Sequence, residues 1–218
     1  MTVWFAVPSK RPPAYAEKVL AKWRDLGYKL ALWRDLGDAP IDCDLALFDR
    51  YRGYHHAVNK LVHGILTQDP EAAWIVTGGD DIDPVVGVRA ETLGAECSRH
   101  FGGTFGVMQP CGDTWCCPNS FCGSPWMGRE FCRRMYGGRG PFCEAYYHMY
   151  GDNEMWQVSQ ALGILWPRPD LTHYHHHWQR EKLPEPEFLK LACKAHGTLA
   201  KLFQERKAAG FPGHEPIP

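Results

Sequence analysis

The stretch AAWIVTGGDDIDP, residues Ala72 to Pro84, joins an unbroken apolar run to an acidic turn. Ala72 to Val76 has no polar face, which is the pattern of a strand covered on both sides in a largely parallel sheet. Residues two apart in an extended segment point to the same side, so Asp81 and Asp83 can converge on one hard cation. Alternatively, one binds metal and the other a sugar hydroxyl. Mg²⁺ and Mn²⁺ favour carboxylate oxygen and often bridge substrate phosphates. Gly78 and Gly79 remove side chains where a ligand would approach the backbone. In open α/β sheets, ligands sit beyond the carboxyl ends of the strands, where this turn lies. The plain structural alternative is a surface turn in which Asp83 caps a helix starting at Pro84.

On the N-terminal side, Val3 to Val7 reads as a first buried strand ended by the proline-rich Pro8 to Pro13. A helix is predicted from Ala14, with Tyr15, Val19, Trp23 and Leu26 as its stripe and Gly27 as its stop. Tyr28 to Trp33 and Asp44 to Phe48 are further strands. Tyr54 to Leu66 is helical, with Ala57, Leu61 and Ile65 on one face. The order strand, helix, strand, strand, helix, strand favours an α/β fold.

On the C-terminal side, short strands are predicted at Gly106 to Met108, Ser124 to Met127 and Ile164 to Trp166, and short helices at Arg129 to Tyr136 and from Asp152. The tail from Pro186 to Ala209 reads as a helix with Phe188, Leu191, Ala195, Leu199 and Leu202 as its stripe. The expected organisation is a domain over residues 1–183, with a helix and tail over residues 184–218 packed on it.

The 218 residues are enough for one large core, and 44% hydrophobic with 22% charged residues is globular composition. A formal net charge of -1 argues against a protein that coats duplex nucleic acid. No apolar run reaches membrane-spanning length and the N-terminus does not read as a secretory signal, so a cytoplasmic protein without a membrane partner is expected. Nine cysteines, an odd number, suit a reducing compartment.

The acidic turn resembles the DxD region of GT-A glycosyltransferases, and other features follow in the same order. Ala6-Val7-Pro8 resembles the first-strand end that contacts the nucleotide base. Tyr54 to Leu66, with Asn59, resembles the helix preceding the DxD strand. Gly151-Asp152-Asn153-Glu154 resembles the later acidic turn that supplies the base in inverting members. The opening VWFAVPSKRP and the later LALWRD also look like small bacteriophage glycosyltransferases. The resemblance covers about Val3 to Trp178 and implies a GT-A, Rossmann-like α/β/α sandwich with a mostly parallel sheet. It implies a nucleotide-sugar donor, a UDP-sugar first, contacted by Pro8, Ser9, Lys10, Arg11, Asn59, Lys60, Gly79, Asp80 and Asp81. Asp81 and Asp83 would hold Mn²⁺ or Mg²⁺ against the diphosphate, with Asp152 as general base and Glu154 second. A helix-capping role also fits Asp152.

His173-Tyr174-His175-His176-His177 is an unusual internal run. On a strand, His173, His175 and His177 would share one face, and imidazole is a good Mn²⁺ or Zn²⁺ ligand. The resemblance places a metal-completing histidine here; His175 is the choice, with His173 and His177 as alternatives. Cys111, Cys116, Cys117, Cys122, Cys132 and Cys143 lie within 33 residues. Without paired CxxC knuckles they read first as buried free thiols, with a structural Zn²⁺ as the alternative. Trp115, Phe121, Trp126, Tyr146, Tyr147 and Trp156 suit core packing or sugar stacking. Arg50, Arg52, Arg129, Arg133, Arg134 and Arg139 suit a phosphate rim. By analogy with the phage enzymes, the acceptor could be a hydroxymethylated pyrimidine in DNA, which needs base flipping. The competing function is a zinc-stabilised nucleic-acid-binding module without catalysis.

Overall fold

A computed structural model describes residues 1–117, 119–186, 189–190 and 194–214. The first six elements are β1 (Thr2–Pro8), α1 (Pro13–Asp25), β2 (Lys29–Arg34), β3 (Leu45–Phe48), α2 (Tyr54–Gln68) and β4 (Ala72–Thr77), in the predicted order. They are followed by β5 (Ile82–Asp83), α3 (Ala90–Phe101), β6 (Val107–Pro110), β7 (Trp126–Gly128) and α4 (Arg129–Arg134). Last come α5 (Gly151–Ala161), β8 (Leu165–Arg168), β9 (Tyr174–His175) and α6 (His196–Ala208).

Among the described residues, seven strands form one sheet in the order β3-β2-β1-β4-β7-β6-β8, and β5 pairs with β9 in a separate two-stranded sheet. In the large sheet, β7 runs antiparallel to both neighbours and every other pairing is parallel. Alternation along β1 builds the two cores. Val3, Phe5 and Val7 pack with Ala16, Leu20 and Trp23 of α1 and Leu93 and Cys97 of α3. Trp4 and Ala6 pack with Val58, Leu61 and Ile65 of α2, Phe131 of α4, and Met155 and Val158 of α5. Helices therefore cover both faces, which is the expected three-layer sandwich.

Chain direction also positions the crevice. After β1 the chain steps outward through β2 and β3, then returns through α2 to place β4 on the other side of β1. The connections leaving β1 and β4 thus diverge, opening a gap beyond their carboxyl ends. Ser9 and Arg11, just past the end of β1, meet the acidic turn at that gap.

Three expectations change. The buried stripe of α1 is Ala16, Leu20 and Trp23, and Tyr15 is 51% exposed. No helix starts at Pro84; the chain forms the short β5, and α3, which periodicity did not predict, begins at Ala90. The described C-terminal helix is His196–Ala208, whose Leu199 and Phe203 join the α2 and α5 core together with Phe211. Phe188 and Leu191 lie outside the described residues. No helix among the described residues is long and apolar enough to cross a membrane.

Candidate active site

The acidic turn faces the loop that leaves β1. Ser9 Oγ donates to Asp80 Oδ2 at 2.6 Å, and Arg11 Nε donates to Asp80 Oδ1 at 2.8 Å. Arg11 Nη2 reaches Asp81 Oδ2 at 3.1 Å. Burial raises the Asp80 carboxyl above its ordinary pKa despite Arg11 and Ser9. At Asp81 burial pushes the same way, but the bond to His175, that residue's charge and Arg11 prevail and hold the carboxyl low. The predicted donor contacts Ser9, Arg11, Asp80 and Asp81 are therefore brought together at the ends of β1 and β4. The turn backbone is close-packed: a Cβ on Gly78 would press into Ser124 and Ile82. Ser124 Oγ donates to the Thr77 carbonyl at 2.9 Å.

The histidine run arrives as the partner strand of β5, with Ile82 opposite His175. His175 Nε2 lies 3.3 Å from Asp81 Oδ1, while His176 Nε2 lies 2.9 Å from Asp83 Oδ2. Lys22 Nζ holds the same Asp83 oxygen at 2.6 Å. Asp81 and Asp83 thus have separate sets of partners. Only Ile82 and Asp83 are extended; Asp81 belongs to the turn, so the two-residue alternation does not carry across it. His173 is fully buried, with Nδ1 2.8 Å from Ser124 Oγ and its ring packed edgewise on Trp23. Burial drops its pKa to about 3.

A clamp that sequence reading missed fixes His175. Asp113, 4% exposed, accepts two bonds from Arg180 at 2.8 Å each and one from the His175 amide at 2.9 Å. Arg180 also donates to the His175 carbonyl at 2.9 Å. His175 Nδ1 is 3.3 Å from the Trp115 carbonyl, so the ring is anchored on one side there and faces Asp81 with Nε2 on the other. An imidazole anchored through its other nitrogen is the usual arrangement of a metal ligand. Two ligands at right angles on a six-coordinate ion sit ~3 Å apart, close to the Asp81–His175 separation. No group of three or more histidine, cysteine, aspartate or glutamate side chains is assembled around a metal position among the described residues. Two protein donors with the rest supplied by phosphate oxygens and water is an ordinary Mg²⁺ or Mn²⁺ arrangement. The pair Asp81 and His175 fits such an ion, while Asp83 Oδ2 is held by His176 and Lys22.

Asp152 lies inside the first turn of α5, and Tyr150 is the cap, so the capping alternative does not hold. Burial pushes its carboxyl up to about 6. Two glycines bring this helix end against α2. A Cβ on Gly53 would collide with the Tyr147 carbonyl, and one on Gly151 with the His55 ring. Next to His55, Tyr54 donates toward the Gly78 carbonyl at 3.2 Å and pairs with Thr77 Oγ1 at 3.0 Å. The charge of Asp152 raises the Tyr54 hydroxyl pKa further, after burial. Tyr54 therefore links the end of β4 to the start of α5.

Other sequence candidates sit elsewhere. Glu154 is fully buried and accepts from Tyr136 and Tyr146 at 2.8 Å each and from Arg206 at 2.7 and 2.8 Å. Its oxygens are committed to tying α6 to α5. Buried Asn59 bonds the Phe142 carbonyl and amide and Glu144, clamping the 140–144 loop. Lys60 and Lys10 are exposed, and Pro8 ends β1. Cys111 and Cys117 meet at 2.8 Å, while Cys122 and Cys132 are buried in the apolar core. Arg129 spends its guanidinium on the carbonyls of Leu66, Asp69 and Ala72, and Arg139 on Tyr136.

No protein-family model matches the sequence, and no curated protein matches it either. Solved structures do. The catalytic domain of Drosophila beta1,4galactosyltransferase 7, crystallised with xylobiose, aligns with a TM-score of 0.50 at 13% identity, over 85% of this chain and 75% of that one. A197 from STIV aligns with a TM-score of 0.50 at 13% identity, over 81% of this chain and 86% of that one. At such identity the likeness speaks for architecture, and the chain has the α/β fold of the GT-A glycosyltransferases.

Proposed function

We propose that the chain is a metal-dependent glycosyltransferase that moves a sugar from a nucleotide-sugar donor, a UDP-sugar first, to an acceptor hydroxyl. The observation that carries this reading is the meeting of Arg11, Asp80, Asp81 and His175 at the gap between β1 and β4. Asp152, a carboxyl raised by burial, acts electrostatically on the Tyr54 hydroxyl, which bonds Thr77 and the Gly78 carbonyl at the end of β4. The Drosophila relative by fold was crystallised with a sugar, which supports a sugar-handling site on this architecture.

In this reading Asp81 and His175 hold Mn²⁺ or Mg²⁺. The ion would supply positive charge where the leaving diphosphate gains negative charge. Arg11 and Ser9 orient the diphosphate. Asp152 takes the proton from the acceptor hydroxyl; with a pKa of about 6 it is roughly nine-tenths ionised at pH 7 while remaining a competent base. Tyr54 ties down the β4 end through Thr77 and Gly78.

The test is thermal unfolding with a panel of nucleotides and nucleotide sugars, each with and without Mn²⁺, followed by assay of sugar release. A ligand near 100 times its Kd should add about 2.7 kcal/mol, a rise of several degrees in Tm, only when metal is present. No shift with any nucleotide in Mn²⁺, or in Mg²⁺ put in its place, sinks the proposal. The acceptor panel includes simple sugars and DNA carrying hydroxymethylated pyrimidines.

A further inference from the structure

The two leading carboxylates of the turn are already neutralised, by a side chain from the neighbouring strand end. Arg11 contacts Asp80 at 2.8 Å and Asp81 at 3.1 Å. The backbone carrying Arg11 is pinned. Buried Arg34 donates through Nη1 to the Ser9 carbonyl at 2.8 Å and the Arg11 carbonyl at 2.9 Å. The Arg11 amide donates to Ser9 Oγ at 3.3 Å. The guanidinium end is not enclosed: the side chain is 30% exposed, and its charge lies 5.3 Å over the exposed Tyr15 ring. A fixed backbone with an open charged end can exchange partners without moving the loop.

Each oxygen of Asp81 is occupied, Oδ2 by Arg11 and Oδ1 by His175. A divalent ion joining Asp81 would sit beside a guanidinium, and like charges a few ångströms apart repel. A diphosphate relieves this, because it offers oxygens to the metal and a bidentate acceptor to the arginine. Resting on the donor reading above, we infer that Arg11 is a displaceable counter-ion that couples cation binding to diphosphate binding. It holds Asp80 and Asp81 while the site is empty. It transfers to the diphosphate when the cation takes up Asp81 and His175. Arg11 acts here as a positioning residue, and the consequence is a site that resists loading by metal alone.

Mn²⁺ binding is followed by electron paramagnetic resonance of the free ion, alone, with saturating UDP, and with uridine, which lacks phosphate. The wild-type protein should bind Mn²⁺ at least about tenfold more tightly with UDP than without, and uridine should give no gain. In Arg11→Gln, which keeps hydrogen-bond donors for Asp80, Mn²⁺ alone should bind several-fold more tightly, and the UDP-dependent gain should fall below about threefold. Arg11→Lys, which keeps the charge but loses the fork, should fall between. Unfolding curves without ligand establish that each variant is folded. An undiminished UDP-dependent gain in both variants overturns the inference and leaves the donor reading standing. Absence of Mn²⁺ binding to the wild type even with UDP overturns both.

Discussion

Asp152 combines a functional and a thermodynamic consequence in one carboxyl. Its folded pKa of about 6 lies above the ordinary value of 3.8, so folding favours the protonated form. Its contribution to stability is therefore present below about pH 4 and is lost as pH rises through about 6. Two pH units correspond to on the order of 2 kcal/mol of unfavourable burial at neutral pH, less what partial exposure returns. Asp152→Asn should raise Tm at pH 7 and leave it unchanged near pH 3.5. The same variant should lower transfer by about 10² to 10⁴-fold. The wild-type rate should climb with pH to a plateau above about 7. A variant that is active, or less stable at pH 7, would contradict the assignment. At this scale the sequence revealed residue types but not their partners. Asp81 and Asp83 were readable as acids, whereas their division between His175 and His176 depends on β9 pairing with β5, Ile82 opposite His175 and Asp83 opposite Tyr174, far apart in the chain. The Asp113–Arg180 clamp was invisible for the same reason, since its members are 67 residues apart.

At the scale of elements, close approach of α5 to α2 sets the position of Asp152. Gly151 is at the contact: any Cβ meets the imidazole of His55, whose Nδ1 is already bonded to the Tyr146 carbonyl at 2.9 Å. Gly151→Ala should therefore cost about 1–3 kcal/mol and displace the base, with a drop in kcat larger than the change in donor affinity. Chemical denaturation and steady-state kinetics measure the two. The first six elements were legible because their apolar residues are large and regularly spaced, as in Trp4, Phe5, Leu61 and Ile75. By contrast, α3 buries Ala90, Leu93, Gly94 and Cys97, a small-residue face with little hydrophobic contrast. Helix α1 was found, but its buried stripe was set one residue off because Ala16 gave less signal than Tyr15.

At the scale of the whole molecule, Glu154 joins the C-terminal helix to the centre. Arg206 reaches it with two bonds, and Tyr136 and Tyr146 complete its shell. Removing one partner strands a buried charge, so Arg206→Ala should destabilise the protein by about 3–5 kcal/mol. Glu154→Gln, which leaves the arginine partly exposed and still hydrogen-bonded, should cost less. Equal, small effects of both on the denaturation midpoint would deny the bracket its role. The alternation of strands with helices made the sandwich readable from the chain. The attachment of α6 to α5 was not, because it joins distant segments through the Glu154–Arg206 ion pair and the packing of Leu199 and Phe203.

That ion pair also sets an order of events during synthesis. Arg206 follows Glu154 by 52 residues, so at roughly 5–20 residues per second the carboxylate waits several seconds for its counter-ion. Until then the buried acid on the inner face of α5 has its two tyrosine donors but no counter-ion, and α5 cannot seat at full strength. The helix that carries Asp152 is thus completed by residues the ribosome delivers late, and a nascent chain halted before Arg206 should remain open to proteases.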